Sequence, residues 1–288
     1  MPPSRQLPGV AGRDEPSFMI SPPRARSDPP PRPRSRRRTV CSVALLGVLM
    51  LIPLLLAGCA AVGSGTRITE VFRAAPWKPG ERLEYSLRNA AGDEVGRGVL
   101  TTEQHGDRLL LTQTYASALA SGGPTTSDTI ALTVDGATLA PVQGTRDTFG
   151  RDADRTAGMR TWWTYGVAGD HRRMATLVEG LPALSELDVR EHAYDVESSL
   201  WLWRGIVFSD GNDQTYASAN PFAGSQQAVT LRVLHREQVS VPAGTYDAWR
   251  ILVRSGQGVH TAWVSTRPPH PVVRWDRGDV ILELTSSK

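Results

Sequence analysis

The sequence predicts an all-β domain built on one antiparallel sheet, curved or barrel-like, with one short helix. Several segments alternate apolar and polar residues with the two-residue period of a half-buried strand. Glycine-containing turns separate these segments at short intervals, and no long amphipathic helices alternate with them. This combination favours neighbouring antiparallel strands over a parallel sheet covered by helices.

The first predicted strands follow Trp77. Leu83, Tyr85 and Leu87 alternate with polar residues, and the run Ala90-Ala91-Gly92-Asp93 then predicts a turn. The next strand contains two glycines, Gly96 and Gly98, which predict a bulge. Five segments continue the pattern, of which the last two carry the weaker alternation: Glu94–Glu103, Asp107–Ala116, Thr125–Asp135, Thr138–Phe149 and His171–Glu179.

The later strands are predicted around one hairpin. Val229, Leu231 and Val233 form one alternating strand, and Trp249, Ile251 and Val253 form its partner. Between them, in Val241-Pro242-Ala243-Gly244, Pro242 fixes φ at the first turn position and Gly244 can adopt a left-handed conformation. Three more strands end the chain: Val259–Ser265, Val272–Asp276 and Val280–Leu284.

A single helix is predicted over Val196–Gly205, capped by Asp195 and ended by Gly205. Its run Leu200-Trp201-Leu202-Trp203 points apolar side chains in every direction, so one sheet cannot cover all four. Either Ile206, Val207, Phe208 and the loop from Leu181 to Leu184 cover the outer side, or an exposed tryptophan contacts a lipid, the membrane surface or a partner.

An uncharged apolar run, Val40–Cys59, precedes the domain and follows the basic segment Ser35-Arg36-Arg37-Arg38. A basic region, an apolar core and small residues are the order of a secretory signal. The ending Leu56-Ala57-Gly58-Cys59 resembles the lipobox of bacterial lipoproteins, which implies cleavage before Cys59 and lipidation of its thiol. The alternative is an uncleaved transmembrane helix, which Pro53 and the small residues disfavour. Both alternatives place the C-terminal domain outside the cytoplasm, held at a bacterial membrane.

The chain therefore divides into four predicted segments: a disordered Pro/Arg-rich leader over 1–38, the hydrophobic signal segment over 39–58, a lipidated tether over 59–76 and a single antiparallel β domain over 77–288. Translation from Met19 would shorten the leader to an ordinary length.

Charge and cysteine content change when the leader is removed. Nine arginines and three acidic residues precede Cys59, so the 32 basic and 29 acidic residues of the whole chain become 23 and 26, a net charge of −3. The domain has no basic excess, and no nucleic-acid partner is predicted. Cys41 lies in the leader, which leaves Cys59 for the lipid and no pair for a disulfide.

The sequence shows no catalytic, cofactor or metal motif. The six histidines lack the spacing of zinc ligands, and no Gly-x-Ser-x-Gly, P-loop or dinucleotide glycine pattern occurs. Asp152 and Asp154 lie between arginines, which favours a solvated loop. The run Asp210-Gly211-Asn212-Asp213 resembles the start of a calcium loop but lacks its later glycine and glutamate. No cofactor and no catalytic residue are therefore predicted, and an enzyme is the least favoured class.

Two arginines adjoin tryptophans in predicted strands, Arg250 beside Trp249 and Arg274 beside Trp275. They can bind an anionic head group, or they can pair with neighbouring aspartates and stack on aromatic rings. With the two tryptophans of the predicted helix, the candidate binding residues are Trp201, Trp203, Trp249, Arg250, Arg274 and Trp275.

Four separated motifs resemble one family. They are Pro79-Gly80-Glu81-Arg82-Leu83-Glu84-Tyr85, then Gly96-Arg97-Gly98, then Val241 to Arg250, and finally Trp263-Val264-Ser265 with Pro271-Val272-Val273-Arg274. In order and distance they resemble the bacterial envelope proteins grouped as domain of unknown function 3108, over roughly Trp77 to Leu284. The resemblance implies a secreted or lipid-anchored β-protein and no catalytic residue. The stretch from Arg146 to Asp170 matches none of these motifs.

Two functions of different class follow. The first is a lipid-anchored, non-enzymatic module that binds or carries an apolar or amphipathic molecule, since binding pockets are commonly apolar and aromatic-lined and all eight tryptophans follow residue 76. The alternative is an envelope structural or assembly protein that binds another protein. A concave apolar pocket favours the first, and a filled core with an exposed aromatic patch favours the second.

Overall fold

The computed structural model of the chain describes residues 67–118, 125–152, 155–256 and 258–288. One sheet of fifteen strands dominates this part of the chain. Its strands are β1 Arg82–Asn89, β2 Glu94–His105, β3 Arg108–Ala118, β4 Thr125–Asp135, β5 Pro141–Asp152, β6 Arg155–Ala168, β7 His171–Val178, β8 Ser185–Val189, β9 Ala193–Asp195, β10 Asp213–Asn220, β11 Ser225–Val241, β12 Gly244–Ser255, β13 Gly258–Ser265, β14 Val272–Asp276 and β15 Val280–Ser287.

The strands follow one another in an antiparallel meander that nearly closes into a barrel. From β8 back to β1 each strand pairs with its chain neighbour, β1 pairs with β15, and the order then runs back to β9. The two edge strands, β8 and β9, are joined by residues 190–192, and Arg172 of β7 donates to the carbonyl of Ala193 in β9 at 3.1 Å. This side-chain contact bridges the gap where backbone pairing stops.

The predicted strand pattern is confirmed over most of the domain because one face of the sheet is buried. Strand β4 has the predicted bounds, and its inward residues Ile130, Leu132 and Val134 are at most 3% exposed. The predicted hairpin joins β11 to β12, where Val241 pairs with Gly244 and Gly244 has φ 128°. The predicted bulge lies next to Gly96, where the pairing of β1 with β2 skips one residue.

The sheet is not wholly antiparallel. Strand β9 pairs with β10 in parallel, because the helix and loop between them return the chain to the same end of the sheet. Strands β6, β8, β9 and β10 were not predicted. The stretch from Arg146 to Asp170, which matched no motif, forms most of the β5–β6 hairpin.

Residues before β1 pack onto the barrel rather than forming a free tether. Val71 and Phe72 are buried, and the backbone N–H of Arg73 donates to the carbonyl of Gly205 at 2.8 Å. The packed part of the chain therefore includes residues that precede Trp77. The leader over 1–38, the signal segment over 39–58 and Cys59 lie outside the described residues. Among helices of the described ranges, none has the length and apolar character needed to cross a bilayer.

The predicted helix is shorter than expected and lies inside the barrel. A 3-10 turn over Val196–Ser198 leads into α1, Ser199–Leu202, and Asp195 caps the turn as predicted by accepting from the N–H of Glu197. Trp201 and Trp203 are 1% and 3% exposed, so the exposed-tryptophan alternative is wrong.

The cover of the helix also differs from the prediction. Trp201 donates to the hydroxyl of Thr102 in β2 at 2.9 Å, and Trp203 packs edge-on against Trp275 of β14 at 5.6 Å. Leu181 and Leu184, which the sequence placed over the helix, are 59% and 54% exposed. Strands on several sides of the barrel therefore provide the second layer.

A buried ion pair joins the start of β1 to the end of the helix. The guanidinium of Arg204 donates twice to the carboxylate of Glu81, both at 2.7 Å, and the two side chains are 1% and 6% exposed. Arg204 also donates to the carbonyls of Pro269 and His270 and lies 5.1 Å from the ring of Trp77. The pair therefore holds three separated segments together.

The chain from Val62 to Lys288 is one compact unit. Its apolar core extends from Val71 to Leu284 and includes the helix and most strands. Because a domain with its own core can fold independently, this unit is suited to study without the leader.

Candidate ligand-binding cavity

An internal cavity of about 490 Å³ occupies one half of the barrel, beside the helix. This volume lies in the range of sites that hold a small organic molecule. Most of its walls are apolar or aromatic, and these lining residues are Leu87, Ile130, Val196, Leu200, Trp203, Tyr216, Phe222, Val229, Val253, Trp275, Val280 and Leu282.

One side of the cavity is polar, and we call it the polar wall. It consists of Gln113 and Tyr115 of β3, Asp128 of β4, Arg146 of β5 and Glu197 of the 3-10 turn. The three strands are neighbours in the sheet, and the 3-10 turn lies against them: the amide of Gln113 donates to the carbonyl of Glu197 at 2.5 Å. Further polar residues line the cavity outside this wall: Ser199, Ser218, Asn220, Gln227, Ser255, His260 and Arg277. A bound molecule thus meets mostly apolar side chains and a concentration of hydrogen-bonding and charged groups at the polar wall.

Asp195 holds the 3-10 turn in place from behind the polar wall. It is fully buried, and its carboxylate accepts from the indole of Trp163 and the hydroxyl of Tyr165, both at 2.7 Å. It also accepts from the N–H of Glu197 at 2.9 Å. Burial raises the pKa of Asp195 to about 6, although these three hydrogen bonds oppose the rise.

Glu197 is the carboxyl that faces the cavity without an ion pair among the described residues. The nearest hydrogen-bond donor is the amide of Gln113 at 3.5 Å. Burial and the neighbouring charge of Asp195 raise the pKa of Glu197 to about 8, while Arg146 opposes the rise. In the empty cavity Glu197 is therefore mostly protonated at neutral pH.

Arg146 is neutralised within the polar wall. Its guanidinium forms a bidentate pair with Asp128, at 2.9 and 2.5 Å, and both side chains are partly buried. It also lies 4.5 Å from the ring centre of Phe222, which is a cation–π distance. The cavity thus already holds one cation between a carboxylate and an aromatic ring.

The six candidate binding residues do not form one site. Trp203 and Trp275 line the cavity. Trp201 is buried in the core, and Trp249 stacks on Phe208 at 6.0 Å. Neither of these two lines the cavity.

Arg250 and Arg274 also lie outside the cavity. They flank Trp263 on neighbouring strands, with guanidinium carbons 5.6 and 5.2 Å from its ring centre. Arg274 lies 4.0 Å from the carboxylate of Asp276, an aspartate of the same strand. Both arginines therefore stack on an aromatic ring, which was one of the two alternatives. The ring is that of Trp263 and not that of the tryptophan adjacent to each arginine in the sequence.

The sequence analysis missed the polar wall. In β3 the inward positions continue from Leu109 and Leu111 to Gln113, and in β4 Asp128 precedes the inward Ile130. A polar residue at an inward position of an alternating strand was the available signal, since such groups require a partner. Of the two acidic runs, the side chain of Asp152 and all of Asp154 lie outside the described residues, and Asp213 pairs with Arg232.

Solved structures with a similar chain course share little sequence with this protein. A β-barrel-like protein of domain of unknown function DUF1849 from Brucella abortus matches with a TM-score of 0.47 and 10% identity, covering 75% of this chain and 98% of that one. A candidate exported protein with a YmcC-like fold from Bacteroides fragilis NCTC 9343 has a TM-score of 0.30 and 12% identity, covering 76% and 100%. A candidate lipoprotein from Parabacteroides distasonis ATCC 8503 has a TM-score of 0.28 and 9% identity, covering 77% and 100%.

No curated protein matches the chain. The model of one family, described as protein of unknown function (DUF3108), matches residues 69–281. This range contains the cavity lining except Leu282, the ion pair of Glu81 with Arg204 and all four motifs that indicated the resemblance. The chain therefore belongs to the DUF3108 family of proteins of unknown function.

Proposed function

We propose that this protein is a non-enzymatic, lipid-anchored envelope protein that binds one amphipathic molecule inside its barrel. The observation that supports the proposal is the cavity of about 490 Å³, with apolar and aromatic walls and one polar wall. A filled core would have favoured a purely structural role. A cavity with mostly apolar walls and one polar wall suits a molecule with one polar end and an apolar remainder.

The distribution of tryptophans supports binding inside rather than on the surface. All eight lie in described residues, and each is buried or half-buried. An assembly protein that used an exposed aromatic surface would present some of them to solvent. The most exposed of the large apolar side chains, such as Val167 and Leu181, are aliphatic and lie near turns, and the one exposed aromatic ring of the described residues, that of Phe149, is 36% exposed.

The proposed location rests on the sequence. The basic segment, the apolar run and the lipobox-like ending at Cys59 support export and lipid attachment outside the cytoplasm. A tether would then connect the lipid to the packed residues Val71 and Phe72. A carrier held in this way can exchange an amphipathic molecule with the adjacent membrane.

Native mass spectrometry of the unit Val62–Lys288, purified from its own host, tests for a retained small molecule. A second assay measures binding of the fluorescent probe N-phenyl-naphthylamine to the delipidated unit. Val253 lines the cavity and is 3% exposed, whereas Val259 is 59% exposed. Val253→Phe should weaken probe binding about tenfold or more by occupying the cavity, and the matched control Val259→Phe should not change it.

Val229→Phe is a second cavity-filling variant if Val253→Phe lowers the melting temperature. Equal probe binding by the wild type and both folded cavity variants, together with no retained molecule, would refute the proposal. A stoichiometric protein partner recovered in its place would support the envelope assembly alternative.

A further inference from the structure

The polar wall and its surroundings contain more carboxyl groups than cations. Three carboxyl groups lie in or directly behind the polar wall: Asp128, Asp195 and Glu197. One guanidinium, that of Arg146, lies among them and is bound to Asp128. The remaining cation of the lining, Arg277, is on the exposed rim, where it lies 3.7 Å from Asp279 and over the ring of Trp275. His260 also lines the cavity, and burial lowers its pKa, so it is neutral.

This excess of carboxyl groups favours a cationic head group of the bound molecule over an anionic one. A carboxylate or phosphate head group at the polar wall would be desolvated near the charge of Asp195, and near that of Glu197 once it ionises. Arg146 is already paired with Asp128. Burying a charge near like charges is costly, while an opposite charge is stabilised. A cation at the same place would find a carboxyl acceptor that has no ion pair among the described residues.

Aromatic rings line the same cavity. Tyr115, Tyr216 and Phe222 line the cavity together with Trp203. Ring faces attract cations, and alkylated ammonium groups are commonly bound by a set of aromatic side chains. Arg146 over Phe222 shows this contact inside the cavity itself.

We propose that the molecule bound in the cavity is a single-chain amphipathic amine, whose ammonium group pairs with Glu197 and whose apolar chain lies against Leu87, Val253 and Leu282. This inference rests on the proposed function, since it names the class of ligand for the same cavity. Binding ionises Glu197: its proton passes to the buffer, and the carboxylate that remains pairs with the ammonium group. No covalent bond is formed or broken.

The test compares three probes of equal chain length: decyltrimethylammonium, decanol and decanoate. Isothermal titration calorimetry with the delipidated unit Val62–Lys288 gives the affinity of each. We expect the ammonium to bind about tenfold more tightly than the alcohol, and decanoate more weakly than both. Titrations at pH 7 in two buffers of different ionisation enthalpy should show proton release with the ammonium probe.

Glu197→Gln keeps the shape of the side chain and removes its charge. It should abolish both the preference for ammonium over decanol and the proton release. The matched control is Glu103→Gln, because Glu103 is an exposed glutamate of β2 and the same change removes one carboxyl group outside the cavity lining. This control should leave the preference unchanged.

The pH dependence provides a test that needs no variant. Glu197 has its pKa raised to about 8, so the affinity for the quaternary ammonium should rise as the pH is increased through this value. The titratable groups that face Glu197 are Asp195, Asp128, Arg146, Arg277 and Tyr115. The pKa of Asp195 is about 6, and burial raises the pKa of Tyr115 above its ordinary value of 10. A change in affinity near pH 8 therefore reports the ionisation of Glu197.

The outcomes separate the two proposals. If none of the three probes binds, the proposed function fails. If decanol binds but the ammonium has no advantage, or if Glu197→Gln retains that advantage, the inference about the amine is wrong while the binding function stands. Tighter binding of decanoate than of the ammonium would overturn the inference directly.

Discussion

Arg204→Met is expected to destabilise the domain strongly through the buried pair with Glu81. The change removes both hydrogen bonds to the carboxylate and leaves a charge that is 6% exposed without its partner. Breaking a buried ion pair by removing one partner costs about 3–5 kcal/mol. For a domain of this size each kcal/mol lowers the melting temperature by about 2–4 °C, so a fall of roughly 6–20 °C is expected.

A neighbouring exposed pair supplies the matched control. Arg82 contacts Glu84 at 2.8 Å, with side chains 46% and 35% exposed. Exposed pairs contribute about 1 kcal/mol or less, so Arg82→Met should lower the melting temperature by only a few degrees. Thermal unfolding of the unit Val62–Lys288, followed by circular dichroism at neutral pH, measures both variants.

The double variant Glu81→Leu with Arg204→Met tests how the pair stabilises the fold. Replacing a buried ion pair by apolar residues is often neutral, because both desolvation costs disappear together. Here Arg204 also donates to the carbonyls of Pro269 and His270, at 2.8 and 3.1 Å, and these would lose their donors at about 1–3 kcal/mol each. We therefore expect the double variant to remain less stable than the wild type. Equal losses for Arg204→Met and Arg82→Met would refute the reasoning.

Three further predictions concern the cavity, the packing and the anchor. The pKa of Glu197 is raised from 4.5 to about 8, so the folded state binds more protons than the unfolded state between these values, and stability should fall as the pH rises through this window. Glu197→Gln should remove most of this fall, as measured by urea denaturation at several pH values; an unchanged pH profile would contradict it. Gly144→Ala should lower the melting temperature, since its Cβ would lie 2.2 Å from the ring of Trp163, whereas Gly150→Ala in the same strand, with nothing within 4 Å, should be tolerated. Cys59→Ala should leave the precursor uncleaved, which is checked by mapping the N-terminus in the native host; normal processing of this variant would exclude lipidation at this cysteine.

Strand positions were predictable where one face of a strand is buried. The alternation in β4 and β14 located both strands with the bounds that the structure shows. Strands β8 and β9 are short edge strands, five and three residues long, and they lack a sustained two-residue period. Local pattern therefore did not reveal them, because their pairing depends on neighbours that the rest of the sheet brings close.

The candidate site was predictable only in part. Trp203 and Trp275 were recognised because large aromatic residues are conspicuous in a sequence, and both line the cavity. Glu197 was not recognised, since a glutamate in the first turn of a helix is ordinary at a solvent-exposed surface. Its importance arises because α1 lies inside the barrel, which no local pattern indicates.

The sequence by itself determined the fold class and the family, because each depends on patterns and motifs that are local in the chain. Only the tertiary structure decided which polar residues face inward together. Glu81 and Arg204 are 123 positions apart, and Gln113 and Glu197 are 84 apart. These groups meet because β1 pairs with β15 and the sheet curls around the helix. Closure of the sheet buries the pair of Glu81 with Arg204, and desolvation together with the neighbouring charge of Asp195, rather than residue type, raises the pKa of Glu197.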